Sequence, residues 1–299
     1  MSRINLKSAA SFLLVGLILF FLIRVLYRNW LQVKSFDFNF DWSSLVLSFL
    51  ILLVYLVLRV YIWKVMLHKM QISLAFRTCL KISFLSTMGK YIPGKVWLVL
   101  GKVYLAGKEG IPKPVALASA VLEVMLELTA SIAFYLIFLS VRPGLTALSS
   151  NLIFVLIGAV VVGLIMLHPA LFYSITNMVL RWMKKESIQA AIGYTGMIHL
   201  FSYYVLLVLV QGIAFYFFIN AICFLPLNAL FGLSASVAAA GALGTLSIFA
   251  PSGLGVREGV LAVLLTTYVV SPLAVLIALL ARIWVTLGEL VCALFGSRL

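Results

Sequence analysis

Residues 43–67 read SSLVLSFLILLVYLVLRVYIWKVML, and this run decides the fold class. A helix rises about 1.5 Å per residue, so about 20 apolar residues cross the hydrocarbon core of a bilayer. The run is long enough, and it has company. Segments 9–27, 114–140, 150–168, 199–224 and 272–295 are of the same kind. The expected fold is therefore all-α, a polytopic membrane helix bundle of about six full spans.

Composition agrees. Of the 299 residues, 65% are hydrophobic and 10% charged, with a mean hydropathy of +1.21. A soluble domain has about 45–50% apolar and about 25% charged residues. Lipid must be the main solvent. The net charge is +14, from 22 Lys+Arg against 8 Asp+Glu. Those basic residues sit between apolar runs, which points to cytoplasmic loops and anionic headgroups and not to nucleic acid. Cys79, Cys223 and Cys292 are far apart and read as packing residues, while His68, His168 and His199 flank apolar runs at the interface. No metal or other cofactor is expected. Arg3 and Lys7 precede the first run, which shows no small-residue cleavage site and reads as a retained span.

Two stretches between the spans are apolar but interrupted. The first, 72–112, contains Arg77, Lys81, Lys90, Pro93, Gly94, Lys95 and Lys102. The second, 229–270, has a small-residue run from Ser234 to Gly244, then Pro251, Gly253, Gly255, Arg257 and Glu258. Each is expected to be two short helices broken by a Pro/Gly turn, with neither half comfortable as a full span. Lipid cannot satisfy a broken backbone, so both read as re-entrant hairpins buried in protein or lining a wet cavity. The alternative is a pair of tilted spans in each stretch, giving up to ten crossings. The segment from Arg59 to Lys113 carries ten Lys/Arg, and Arg181, Lys184 and Lys185 sit between the fourth and fifth spans. With six spans, this puts both termini in the cytoplasm. The chain reads as one membrane domain, with suspected pseudo-repeat halves at 43–168 and 199–295, each pairing a broken hairpin with a charged span.

Four of the eight acidic residues lie in apolar surroundings: Glu123, Glu127, Glu258 and Glu289. A charge at the centre of a span costs roughly 2.5–3.5 kcal/mol on insertion scales, so intramembrane acids are functional candidates. Glu123 and Glu127 are four apart and share a helical face; Arg282 and Glu289, seven apart, also share one. If those faces meet, Arg282 neutralises one carboxylate and another stays free to take a cationic headgroup or a proton. The alternative is a buried ion pair that staples the bundle.

Residues 89–97, GKYIPGKVW, break the backbone at Pro93 and Gly94 between Lys90 and Lys95. A helix starting there, with lysines beside free N–H groups, favours a phosphate. Snorkelling lysines are the bland alternative. Residues 250–259, APSGLGVREG, repeat this chemistry with Arg257, which could grip a phosphate bidentately.

These two stretches, with the Glu123 and Glu127 span between them, resemble the family of lysylphosphatidylglycerol synthase transmembrane domains, or flippase-like membrane proteins. The resemblance runs from about residue 43 to the end, and its most specific part is the Pro-x-Gly-x-Gly-x-Arg-Glu pattern. It implies a polytopic fold and movement of lipid across the inner membrane. In two-part synthases of the family a soluble C-terminal domain transfers lysine from aminoacyl-tRNA to phosphatidylglycerol; with Leu299 straight after the last span, aminoacyl transfer is not expected here. No nucleotide-hydrolysis motif or Ser/His/Asp set is present. The expected function is therefore translocation of a lipid with an anionic headgroup or a polyprenyl-phosphate-linked sugar. Lys90, Pro93, Gly94, Lys95, Glu123, Glu127, Gly253, Gly255, Arg257, Glu258, Arg282 and Glu289 form the candidate substrate site. The alternative is a membrane enzyme or accessory subunit acting on a lipid-linked sugar beside a glycosyltransferase partner.

Overall fold

A long apolar run in lipid winds into a helix because only then are all its backbone N–H and C=O groups satisfied within the segment. In the computed structural model, residues 40–91, 96–141, 150–189, 191–247 and 253–299 are described, together with Phe20, Arg24 and Tyr27. They form ten α-helices and two short 3-10 turns, with no strand among the described residues. The helices are α1 (Trp42–Lys69), α2 (Phe76–Thr87), α3 (Val96–Lys108), α4 (Lys113–Val141), α5 (Ser150–Met166), α6 (Pro169–Trp182), α7 (Tyr194–Asn220), α8 (Leu230–Leu246), α9 (Val256–Leu265) and α10 (Ser271–Ser297). The polytopic all-α bundle read from the sequence is what the chain forms.

Five helical segments are long and apolar enough to cross a membrane: α1, α4, α7, Leu227–Leu246 and α10. Ile153–Met166 and Pro169–Trp182 would make a sixth if taken as one span, but they meet at 84°. The corner has a local cause. Proline disfavours helical backbone in the residue before it, and His168, ahead of Pro169, is extended at φ −65°, ψ 125°. The expected span at 150–168 therefore ends at Met166 and turns into a helix that the sequence reading did not separate. The expected span at 9–27 lies outside the described residues except for Phe20, Arg24 and Tyr27.

Of the two interrupted stretches, the first contains short helices as expected, α2 and α3 of 12 and 13 residues. Its break at Pro93, Gly94 and Lys95 lies outside the described residues. The second departs from expectation. Its first half, Leu227–Leu246, is twenty residues long and passes as a span by itself, with 67% of its apolar window buried. Small residues make this burial feasible by letting backbones approach closely. A Cβ on Gly212 of α7 would lie 1.9 Å from the Ser234 hydroxyl of α8.

Contacts divide the chain into two units: Met1–Leu52, Phe134–Ser150 and Val208–Gly288 in the first, Leu53–Ala133, Asn151–Leu207 and Glu289–Leu299 in the second. In the first unit Phe231 meets Phe134 and Phe138 edge-on at 5.1 and 5.7 Å. Asp41 caps α1, accepting from the Ser43 and Ser44 hydroxyls at 2.6 Å each and from the Ser43 N–H at 3.0 Å. Those bonds favour the charged carboxylate and hold its pKa at about 2. In the second unit Trp63, Met66, Leu67, Leu122, Leu126 and Leu200 form a fully buried core.

Candidate functional site

Glu123 and Glu127 stand one turn apart on α4, and the second unit surrounds them with cations. Arg59 of α1 donates from Nε to Glu123 Oε1 at 3.1 Å and from Nη2 to Glu127 Oε2 at 2.7 Å. Lys102 of α3 donates to the other oxygen of Glu123. The Lys102 ammonium lies 4.0 Å over the Trp63 ring, and Trp63 Nε1 donates to Ser119 at 3.2 Å. Two positive and two negative charges balance, which is the condition for holding them in an apolar interior. The network is graded. Lys102 and Glu123 side chains are 6% and 9% exposed, Arg59 and Glu127 25% and 36%.

Beside this network is a cavity of about 40 Å³, lined in part by Arg59, Ser83, Thr87, Lys102 and Glu123. A water needs roughly 10–15 Å³ of such space, so the cavity has room for two or three. The buried hydroxyls of Ser83 and Tyr204 have no hydrogen-bond partner among the described residues.

A second ion pair sits in the same unit. Glu289 of α10, 5% exposed, accepts from the Lys90 ammonium and, at 2.6 Å, from the Tyr91 hydroxyl. Lys90 and Tyr91 belong to the 3-10 turn Met88–Tyr91 that follows α2.

In the first unit the glycine-rich break delivers the helix α9. Gly253 and Gly255 hold φ of +67° and +81°, a region closed to most side chains. A Cβ on Gly253 would also lie 2.6 Å from the Gly244 carbonyl oxygen of α8. The Gly255 N–H donates to Glu258 Oε2 at 2.6 Å, so Glu258 caps the helix it belongs to. Its other oxygen is buried without a hydrogen bond among the described residues, and Arg282 Nε stands 3.7 Å away, beyond hydrogen-bonding distance. Trp284 stacks on Phe218 at 4.9 Å, and its buried Nε1 is likewise without a partner among the described residues. Arg257, half-buried, has no charged or hydrogen-bonded partner among them either. These groups line a cavity of about 10 Å³, the size of one water.

A family model of the lysylphosphatidylglycerol synthase TM region matches residues 8–291. The chain belongs to this family. No curated protein matches it. Membership covers more of the chain than the resemblance from residue 43 onward implied, and it makes this a multi-pass membrane protein of a family tied to lipid.

Within this family member the candidate residues fall into three groups. Gly253, Gly255, Arg257, Glu258 and Arg282 come together in the first unit. Lys90 and Glu289, expected to serve a phosphate and a cation or proton, pair with each other. Glu123 and Glu127 keep together, and the cations beside them in the second unit are Arg59 and Lys102. Pro93, Gly94, Lys95, Pro251 and Ser252 lie outside the described residues. Arg59 and Lys102 were not among the candidate site residues read from the sequence. An arginine inside an otherwise apolar run was the available signal, since such a charge must be paired.

Proposed function

We propose that the protein moves a lipid with an anionic headgroup, or a polyprenyl-phosphate-linked sugar, across the cytoplasmic membrane. The observation that carries this reading is Arg257, a half-buried guanidinium beside Glu258 that has no charged or hydrogen-bonded partner among the described residues. Arg257 and Arg282 flank one carboxylate at the start of a helix, inside a bundle that lipid surrounds. A half-buried guanidinium is costly until a counter-charge completes it, and a phosphate supplies one. The helix start adds N–H groups and a favourable dipole for the same anion.

The cavity beside Arg257 is far smaller than a headgroup, so binding requires it to open. Arg257 is the first ligand in this scheme, because among the described residues it has no partner to give up. The neutral network of Arg59, Lys102, Glu123 and Glu127 supplies the opposite chemistry. Glu127, at its open end, is the carboxylate that a cationic headgroup substituent or a proton reaches first.

Lipid carried through purification tests the substrate class. Mass spectrometry of the extract is expected to show phosphatidylglycerol-type or polyprenyl-phosphate lipid enriched over the bulk membrane. An extract with the composition of the bulk membrane, dominated by zwitterionic lipid, would count against an anion site.

A further inference from the structure

The helix α6 plays no part in any of the three charged clusters, yet its two faces differ sharply. One face is tied to the protein: Phe172, Tyr173 and Leu180 are buried. The Tyr173 hydroxyl accepts from the Ile192 N–H at 3.0 Å. Asn177 donates to the Ile188 carbonyl at 2.9 Å and accepts from its N–H at 2.8 Å. Both bonds fasten the helix to the returning chain.

The other face is an apolar stripe with nothing of the described chain over it. Leu171, Ile175, Met178 and Trp182 follow the i, i+4, i+7, i+11 spacing of one helical face, and are 39%, 37%, 59% and 86% exposed. At the end of the stripe come Arg181, Lys184 and Lys185, with Glu186 as the one acid. Exposed apolar side chains are ordinary on a helix that runs through lipid. However, α6 lies at 84° to the apolar segment Ile153–Met166 that precedes it. If that segment runs along the bilayer normal, α6 runs along the surface. An amphipathic helix with cations at its rim and tryptophan on its apolar face matches the headgroup boundary in both respects.

We propose that α6 is an interfacial helix that docks on an anionic lipid surface. Leu171, Ile175, Met178 and Trp182 enter the acyl boundary, and Arg181, Lys184 and Lys185 engage lipid phosphates. The inference is independent of whether the protein moves lipid.

The test uses the full chain in phosphatidylcholine vesicles with and without phosphatidylglycerol. The tryptophan fluorescence lost in Trp182→Phe isolates the Trp182 signal, and its exposure makes the substitution structurally mild. That signal is expected to be quenched more by lipids brominated near the carbonyls than by lipids brominated near the chain ends. It should also be shielded from acrylamide, more strongly when phosphatidylglycerol is present. Replacing Arg181, Lys184 and Lys185 with glutamine should weaken that lipid preference by about fivefold for each cation engaged. Stronger quenching by deep bromines would make α6 part of a span and overturn the proposal. So would free access of acrylamide, or shielding that appears only at high protein density, which would mean that a second copy covers the stripe. Equal shielding with and without phosphatidylglycerol would refute the anionic partner.

Discussion

Glu123→Gln is expected to destabilise the protein by about 3–5 kcal/mol, the cost of breaking a buried ion pair from one side. Glutamine keeps the shape and can still accept from Lys102, but it removes one negative charge between two cations. Lys102, 5% exposed, is then a buried cation without compensation. Glu127→Gln should differ, because that side chain lies at the open end of the network and solvent screens what it loses. An exposed pair contributes about 0–1 kcal/mol. Adding Lys102→Met to Glu123→Gln should recover much of the loss, since a neutral pair needs no compensation. Thermal unfolding in nanodiscs reads all three variants. Equal melting of Glu123→Gln and the parent would show that the network is not what holds α1, α3 and α4 together in the second unit.

Arg257→Ala is expected to weaken binding of a short-chain anionic lipid by about ten- to a hundredfold. Hydrogen bonds to charged groups contribute about 1.5–3 kcal/mol, and this side chain has no other described partner to hold it. Arg257→Lys should restore only part of the affinity, because an ammonium is a point charge and cannot match two phosphate oxygens as a guanidinium does. The fold should survive both changes: Glu258, not Arg257, caps α9, and Gly253 and Gly255 shape the break. A zwitterionic lipid serves as control and should bind the parent and both variants alike. If the anionic lipid binds Arg257→Ala as it binds the parent, the guanidinium is not the anion ligand.

Spans were the most legible part of this chain. An apolar run reports its helix directly, and 43–67, 114–140 and 272–295 match α1, α4 and α10 to within a few residues. Breaks were legible as positions but not as consequences. The run from Ser234 to Gly244 looked too interrupted to span, yet its alanines, leucines and small polar residues are apolar enough once packed against α7. Helix α6 was missed because its apolar residues recur at 3.6 spacing among polar ones and form no continuous run.

The carboxylates were found because acids in apolar sequence are rare. Their partners were not, because pairing is a tertiary fact. Arg59 lies 64 residues from Glu123, and Lys102 lies 21 away on a different helix. Arg282 shares a helical face with Glu289 in the sequence, and in the first unit its Nε lies 3.7 Å from Glu258. Lys90 and Glu289, 199 residues apart, read as separate features in the sequence and pair with each other in the structure.

The central claim is lipid movement, and the direct measurement is in proteoliposomes that hold a headgroup-labelled anionic lipid in both leaflets. A membrane-impermeant quencher added outside removes the outer signal at once. With the parent protein, the inner label should then become accessible much faster than in protein-free vesicles, and Arg257→Ala should slow this by about tenfold or more. A labelled zwitterionic lipid should stay protected. If folded parent protein leaves the anionic label protected at the protein-free rate, the chain binds lipid without moving it, and the translocation account is wrong.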